Sequence, residues 1–234
     1  MVLRDDWKNV GFAAEWDHNA LRGNPVREEQ LQILVALIKG TFKPGQTILD
    51  LGCGSGIVEE SVLREIQGVE IVGVDFSKVM LEMASRRLNH WLPQLQWVNA
   101  DFNEIESLDL PRTPFHIVIS VQALHNVSHN LKKRIFARVH SLLDSTGVFY
   151  VLDRIAVNPD LFDQIRLVWD RLEVVHQTRI SEGLSYAEHA RLVKERGDDP
   201  AGLEEHLVWL KNAGFHATCV HLHANRALIV AKKV

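Results

Sequence analysis

At 234 residues, 46% of them hydrophobic and 24% charged, the chain has ordinary globular composition and the length of one good-sized α/β domain. Its formal net charge of −4 is spread along the sequence and lacks the basic excess of a dedicated nucleic-acid binder. No apolar run approaches the ~20 residues needed to cross a bilayer. The opening MVLRDDWKNVGF has no apolar core of the signal-peptide kind, and Cys53 and Cys219 offer no disulfide framework, so a cytoplasmic location is expected.

In chain order, apolar strands alternate with amphipathic helices, the pattern of a parallel sheet with crossovers. A first helix fits Glu28 to Lys39, with Leu31, Leu34, Val35 and Ile38 on one face. Lys43-Pro44-Gly45 turns into a strand over 47–51, and Val58, Val62 and Ile66 mark the helix after it. A second strand covers 70–75, followed by a helix marked by Met80, Met83, Ala84 and Leu88. Strands follow at 95–98, 116–121 and 147–152, with a helix over 130–144 between the last two. Leu203, Leu207 and Leu210 mark a helix closed by Gly214, and strands near 218–224 and 226–231 end the chain as an antiparallel hairpin.

The stretch 158–202 breaks this alternation. Asn158-Pro159 reads as a helix start, and Ser185 with Glu188 as a capping box for a second helix that Gly197 ends. Two inserted helices near the C-terminal edge of the sheet, where open α/β sheets bind ligands, read as a substrate lid. With the N-terminal segment 1–40 they are the expected variable parts of a single domain, 1–234. Phe162, Trp169 and Tyr186 either line an apolar pocket there or glue the insert to the sheet.

Chemistry concentrates in Asp50-Leu51-Gly52-Cys53-Gly54-Ser55-Gly56, set between a strand and a helix, where glycines let the backbone lie against a ligand. Asp75, 19 residues after Gly56 at the end of the second strand, is placed to accept hydrogen bonds from ribose hydroxyls. Asp101-Phe102 follows the third strand, where a carboxylate beside a ring suits the amine and face of a purine. Together these residues resemble the class I S-adenosylmethionine (SAM)-dependent methyltransferases, from about Gln46 to the C-terminus. DLGCGSG is similar to that family's first motif, GVDFS to its ribose-binding segment, and NADF to its adenine-contacting one. SVQALH, from Ser120 to His125, is similar to the segment beneath the sulfonium.

The resemblance implies a Rossmann-like α/β fold, with a seven-stranded sheet of order 3-2-1-4-5-7-6, strand 7 antiparallel, and a helical lid insert. It also implies SAM as cofactor and S-adenosylhomocysteine (SAH) as product. The cofactor residues it points to are Asp50, Gly52, Cys53, Gly54, Gly56, Asp75, Phe76, Met80, Asp101, Phe102, Ser120 and Val121. No Asn-Pro-Pro-Tyr type sequence follows the fourth strand and neither cysteine follows a proline, so the match is to the small-molecule methyltransferases rather than to nucleic-acid enzymes. Within that group, Ala14-Glu15-Trp16-Asp17 is similar to an N-terminal Tyr-Asp element, with tryptophan in place of tyrosine.

Methyl transfer from a sulfonium is an in-line displacement, so the protein has mainly to orient the acceptor and exclude water. A base is needed only for an acceptor protonated at working pH. His125, after the fourth strand, is the first candidate and Asp153, after the fifth, the second. Cys219, His221 and His223 alternate on one strand and would share a face, but no fourth ligand accompanies them and no metal site is assigned. Two other functions remain open: a SAM-binding regulator without transferase activity, and an NAD-dependent oxidoreductase. The dinucleotide fingerprint would place its last glycine where this chain has Ile57.

Overall fold

In the computed structural model, which describes residues 4–20, 24–180 and 182–234, one seven-stranded sheet runs in the order 3-2-1-4-5-7-6. Its strands are β1 (Thr47–Leu51), β2 (Glu70–Asp75), β3 (Leu95–Asn99), β4 (Phe115–Val121), β5 (Leu143–Arg154), β6 (Phe215–His223) and β7 (Arg226–Lys233). Neighbours among β1 to β5 are parallel, whereas β7 pairs antiparallel with both β5 and β6. The expected fold is therefore present, strand order included. Residues 1–3, 21–23 and 181, which belong to the expected N-terminal segment and insert, lie outside the described residues.

The helices are α1 (Val10–Asn19), α2 (Arg27–Thr41), α3 (Ile57–Glu65), α4 (Lys78–Arg87), α5 (His129–Leu142), α6 (Phe162–His176), α7 (Tyr186–Arg196) and α8 (Leu203–Asn212). Every residue of β1 is buried, because a parallel strand covered on both faces has no solvent side. On one face Leu49, Leu51 and Val118 meet Leu131, Ile135 and Phe136 of α5. On the other, Ile48, Ile117 and Ile119 meet Leu34 and Ile38 of α2 and Val62 of α3. Period-2 alternation in the strands thus feeds two cores, each matched by a 3.6-period helix face.

Side-chain caps set where helices begin. Ser77 Oγ accepts from Met80 N (3.2 Å) at α4, and Ser128 Oγ from Leu131 N (3.3 Å) at α5. At α7, Ser185 Oγ accepts from Glu188 N, but Glu188 returns its bond to Leu184 N, one residue short of a closed capping box. Two expectations need correction and one open choice is decided. β5 begins at Leu143 rather than 147, because Leu143 pairs with Phe115 ahead of a register shift. Phe162, Trp169 and Tyr186 form T-shaped contacts around Phe162, together with His189, and none of the three faces the large cavity, so they glue the insert together. Third, β6 carries a bulge at Val220: Cys219 pairs with Ile229 but His221 with Leu228. Ile229 and Leu228 face opposite cores, so Cys219 lies on the other side of the sheet from His221.

Candidate active site

Parallel strands β1 and β4 are neighbours at the point where the strand order reverses, and their C-terminal ends open on a cavity of about 540 Å³. Gly52, Cys53, Gly54 and Ser55 form one wall; Asp75, Phe76 and Met80 a second; Ala100 to Asn103 a third. Val121 to Ala123 and Asn126 to Ser128 line the side toward β4, while Trp7, Trp16, Arg27 and Arg196 complete it.

The glycine loop is tied to β2. Gly52 N and Cys53 N both donate to Val74 O (2.8 and 3.1 Å), and Gly54 N donates to Asp75 Oδ2 (3.0 Å). Gly52 has φ +85°, and a Cβ there would run into Ala123 Cβ. Gly54, at φ +56°, has nothing within 4 Å of where its Cβ would be. One glycine is needed for close packing, the other leaves open space beside the cavity.

Ser77 N donates to Asp75 Oδ1 at 2.8 Å, so both carboxylate oxygens are aimed by main-chain groups. Burial pushes the Asp75 carboxyl up from its ordinary value, against the pull of those two N–H groups. Asn99 Nδ2 reaches Asp75 O (3.0 Å) and Phe76 O (2.9 Å), which fixes the third strand against the second. Asp101 Oδ1 accepts from Asn103 N (2.9 Å) and Nδ2 (3.0 Å), capping a short turn that presents Phe102 beside Gly52.

The N-terminal segment, where the sequence had singled out Trp16-Asp17, closes the other side through long-range contacts that the local pattern gave no sign of. Asp17 in α1 takes a two-pronged contact from Arg87 Nη2 (3.0 and 2.8 Å) and also accepts from Ser55 Oγ. Arg87 Nη1 reaches Ser55 O at 3.1 Å, and Ser77 Oγ donates to Trp7 O at 2.5 Å. Trp16 and Arg27 stack with the guanidinium 5.7 Å from the ring centroid. Burial lowers Arg27 to about 10, with Asp17 opposing.

Of the expected cofactor residues, Gly52, Cys53, Gly54, Asp75, Phe76, Met80, Asp101, Phe102 and Val121 line the cavity. Asp50, Gly56 and Ser120 do not. Gly56 packs on Ala84 of α4 and on Leu88 just after it, and Ser120 Oγ donates to Leu51 O (2.8 Å), joining β4 to β1. Asp50 lies beneath the loop against Glu59, which sequence reasoning passed over. Burial pushes the Cys53 thiol well up, with Glu59, Asp75 and Asp50 adding to it, so it is not a ready nucleophile.

His125 and Asp153 come together, although neither lines the cavity. His125 Nε2 faces Asp198 Oδ1 at 3.9 Å, and Asp199 N donates to His125 O at 2.6 Å, so the insert is pinned behind this histidine. Among the described residues of the insert, only Arg196 and Gly197 reach the cavity wall. Arg196 is held by Glu182 (3.3 Å). Gln122, also missed, carries φ +53° at the wall, its N–H anchored on Leu152 O (2.8 Å).

A nucleoside with a cationic amino-acid tail fits these residues. The walls supply a buried carboxylate at Asp75, open backbone at Gly54, and the two orphaned carboxyls of Asp50 and Glu59 behind the loop. Fold, cavity and sequence together define the class. Residues 48–147 match the family model described as a methyltransferase domain, and the chain has the class I, Rossmann-like fold of the SAM-dependent methyltransferases.

More particularly, it is similar to the carboxy-S-adenosyl-L-methionine synthase of Sulfurimonas denitrificans, 23% identical over 94% of this chain and 92% of that protein. That of Helicobacter pylori is 26% identical over 84% of this chain and 79% of that one. Among solved structures, a cyclopropane synthase of Mycobacterium tuberculosis superposes with a TM-score of 0.61 at 18% identity, over 94% of this chain and 75% of that one. A Haemonchus contortus phosphoethanolamine N-methyltransferase in complex with SAM gives 0.63 at 17% identity, over 86% and 52%. The chain spans from about half to four fifths of the length of such structures.

Proposed function

We propose that the protein moves a methyl group from SAM to a small-molecule acceptor. The observation that carries this reading is one cavity lined by two unlike sets of groups. Asp75 and Asp101 bring the acceptors, and Phe102 the ring, that a nucleoside requires. Trp7, Trp16, Arg27 and Arg196 go beyond what a nucleoside requires, and we read them as the walls for a second molecule.

SAM, when bound, supplies the activated methyl group and a neutral leaving thioether. The rest falls to the chain. Asp75 orients ribose hydroxyls, Gly52 and Gly54 let the backbone approach, and α1 excludes water from above. Gln122, Asn126 and Ser128 are the polar groups on the wall toward β4 and orient the acceptor. His125 and Asp153 act here by holding the segment 122–128 in place, rather than as a base in contact with the acceptor.

A second reading is favoured by the curated relatives, which match over 69–92% of their own length: SAM itself is the molecule modified, a methyl hydrogen being replaced by a carboxylate drawn from a carboxylic-acid co-substrate, yielding carboxy-SAM. The two arginines at the cavity wall suit the carboxylate such a product carries.

Calorimetry with SAM and SAH on the wild type and on Asp75→Ala tests the common core. Binding that weakens by roughly tenfold to a hundredfold in the variant supports it, as expected for a lost charged hydrogen bond. Absence of binding by the folded wild type overturns it, and NAD is then tried on the same sample. Mass spectrometry of SAM after incubation with acceptor pools separates the two readings, SAH marking methyl transfer and carboxy-SAM the alternative. Binding without either product would leave a SAM-responsive regulator.

A further inference from the structure

Beneath the glycine loop lie two carboxyl groups that the mechanism above does not use. Asp50 on β1 and Glu59 in the first turn of α3 are both 0% exposed. None of their four oxygens has a hydrogen-bond partner of good geometry among the described residues, yet the two carboxyls face each other within hydrogen-bonding reach. Two carboxylates are acceptors only, so no bond can join them unless one carries a proton. Two unpaired charges side by side in a dry core would be far costlier than one shared proton.

The surroundings deepen the case. From β2 the group facing the pair is Asp75, from the loop Cys53, and from α4 Arg87. The cation among them is committed elsewhere, to Asp17 at 2.8 Å and to Glu60 at 3.7 Å. Burial raises Asp50 well above the carboxylate range. It also raises Glu59, to about 7, against the Glu59 main-chain amide and Arg87, which pull it down. The pair sits one layer behind the cavity, since Gly52 and Cys53 follow Asp50 and Ile57 and Val58 precede Glu59 on its wall.

We propose that Asp50 and Glu59 hold one proton between them in the free protein and release it to solvent when the cavity takes SAM, making Glu59 a positioning residue that supplies negative charge behind the cofactor. The inference rests on the SAM reading of the cavity. SAM carries a sulfonium and an ammonium against one carboxylate, and a nearby cation favours the ionised pair. SAH lacks the sulfonium and draws out less of the proton. By linkage, SAM affinity rises with pH through neutrality, by at most about tenfold per pH unit for one proton.

Infrared spectroscopy of the free wild type should show a protonated carboxyl band that disappears on raising the pH through neutrality and is missing in Glu59→Gln. Absence of a titrating band overturns the shared proton whatever SAM does. Calorimetry of SAM and SAH in buffers of differing ionisation enthalpy should show proton release, greater for SAM and abolished in Glu59→Gln, whose amide can still donate to Asp50. A buffer-independent enthalpy for SAM, or release unchanged in the variant, overturns the coupling. Should Glu59→Gln fail to fold, the wild-type band and buffer series decide alone. If neither ligand binds, the cofactor reading and the coupling fail together, while the infrared band stands or falls separately.

Discussion

His125 Nδ1 sits 2.5 Å from Asp153 Oδ1, while Asp153 Oδ2 accepts the main-chain N–H of His125 at 2.8 Å. One carboxylate therefore fixes both the ring and the backbone of a residue whose neighbours, 121–123 and 126–128, form the cavity wall. Burial pushes the Asp153 carboxyl up, but the His125 charge, its hydrogen bond and the Arg154 N–H together hold it below the usual range. A depressed folded value means stability present above the unfolded carboxylate value and lost as pH falls through the folded one. Asp153→Asn should cost on the order of 3 kcal/mol, the scale of a broken buried pair. In thermal melts across pH, that cost should shrink as the wild-type carboxylate protonates in acid. Turnover and melting temperature should fall together in His125→Gln. A variant that kept its melting point and SAH affinity but lost turnover would instead mark His125 as a base.

Glu182 gathers the insert onto the sheet. Its carboxylate meets Arg226 at 3.0 Å, Arg196 at 3.3 Å and Arg154 at 3.9 Å, while His189 Nδ1 bonds its carbonyl at 2.7 Å. Burial raises its carboxyl, but the three guanidinium groups outweigh that and bring it from 4.5 down to about 2. The sign is again that of a depressed acid, so its contribution is complete above about 4.5 and lost progressively toward 2. A shift of that size corresponds to roughly 3 kcal/mol. Glu182→Gln should flatten the acid limb of the stability curve across that window. It should also raise hydrogen exchange in α6 and α7 ahead of the sheet, and uniform exchange across the molecule would contradict the latching role.

Gly52 and Gly54 should respond differently to alanine. At Gly52 the added methyl collides with Ala123 in addition to straining a left-handed backbone, so the fold must shift. At Gly54 the methyl meets nothing, leaving only the backbone strain of about 1 kcal/mol. Gly54→Ala should therefore fold with a small loss in melting temperature yet bind SAH at least tenfold more weakly. Gly52→Ala should lose several kcal/mol of stability before binding can be measured. Equal melting temperatures for the two would refute the distinction.

Legibility in the sequence followed the range of the forces involved. The bounds of β1 and β2 were readable to the residue because alternation and the following glycine or serine are local signals. Gly52, Gly54 and Asp75 were readable because loop, strand end and carboxylate recur at fixed spacing. The Val220 bulge was not, since a bulge shows only in pairing with another strand, and it reversed the face assigned to His221 relative to Cys219. The bond of the Ser120 hydroxyl to Leu51 O was not legible either, since it is made to the adjacent strand. The pairing of His125 with Asp153 and the burial of Glu59 against Asp50 depend on crossovers that periodicity does not register.

The same limit hid the contact that seals the cavity, which spans 70 residues of sequence between Asp17 and Arg87. Both side chains are mostly covered, at 16% and 24% exposed, so the pair is screened less than a surface bridge. Ser55 donates to Asp17 and offers its carbonyl to Arg87, so the pair grips the glycine loop as well as joining α1 to α4. Trp16, adjacent to Asp17, is thereby set at the cavity wall. Arg87→Ala should free α1, with amide exchange over Val10–Asn19 rising while β1 and β2 stay protected. SAH affinity should fall by about tenfold as the loop loses its outer support. Asp17→Asn should do the same more weakly, because the amide oxygen still accepts from Ser55. A double-mutant cycle on stability should return a coupling of roughly 1–3 kcal/mol. Exchange in α1 that is indifferent to Arg87→Ala would show that the aromatic contacts of Trp7 with Phe12 and Trp16, at 5.2 and 5.3 Å, hold the segment without the clamp.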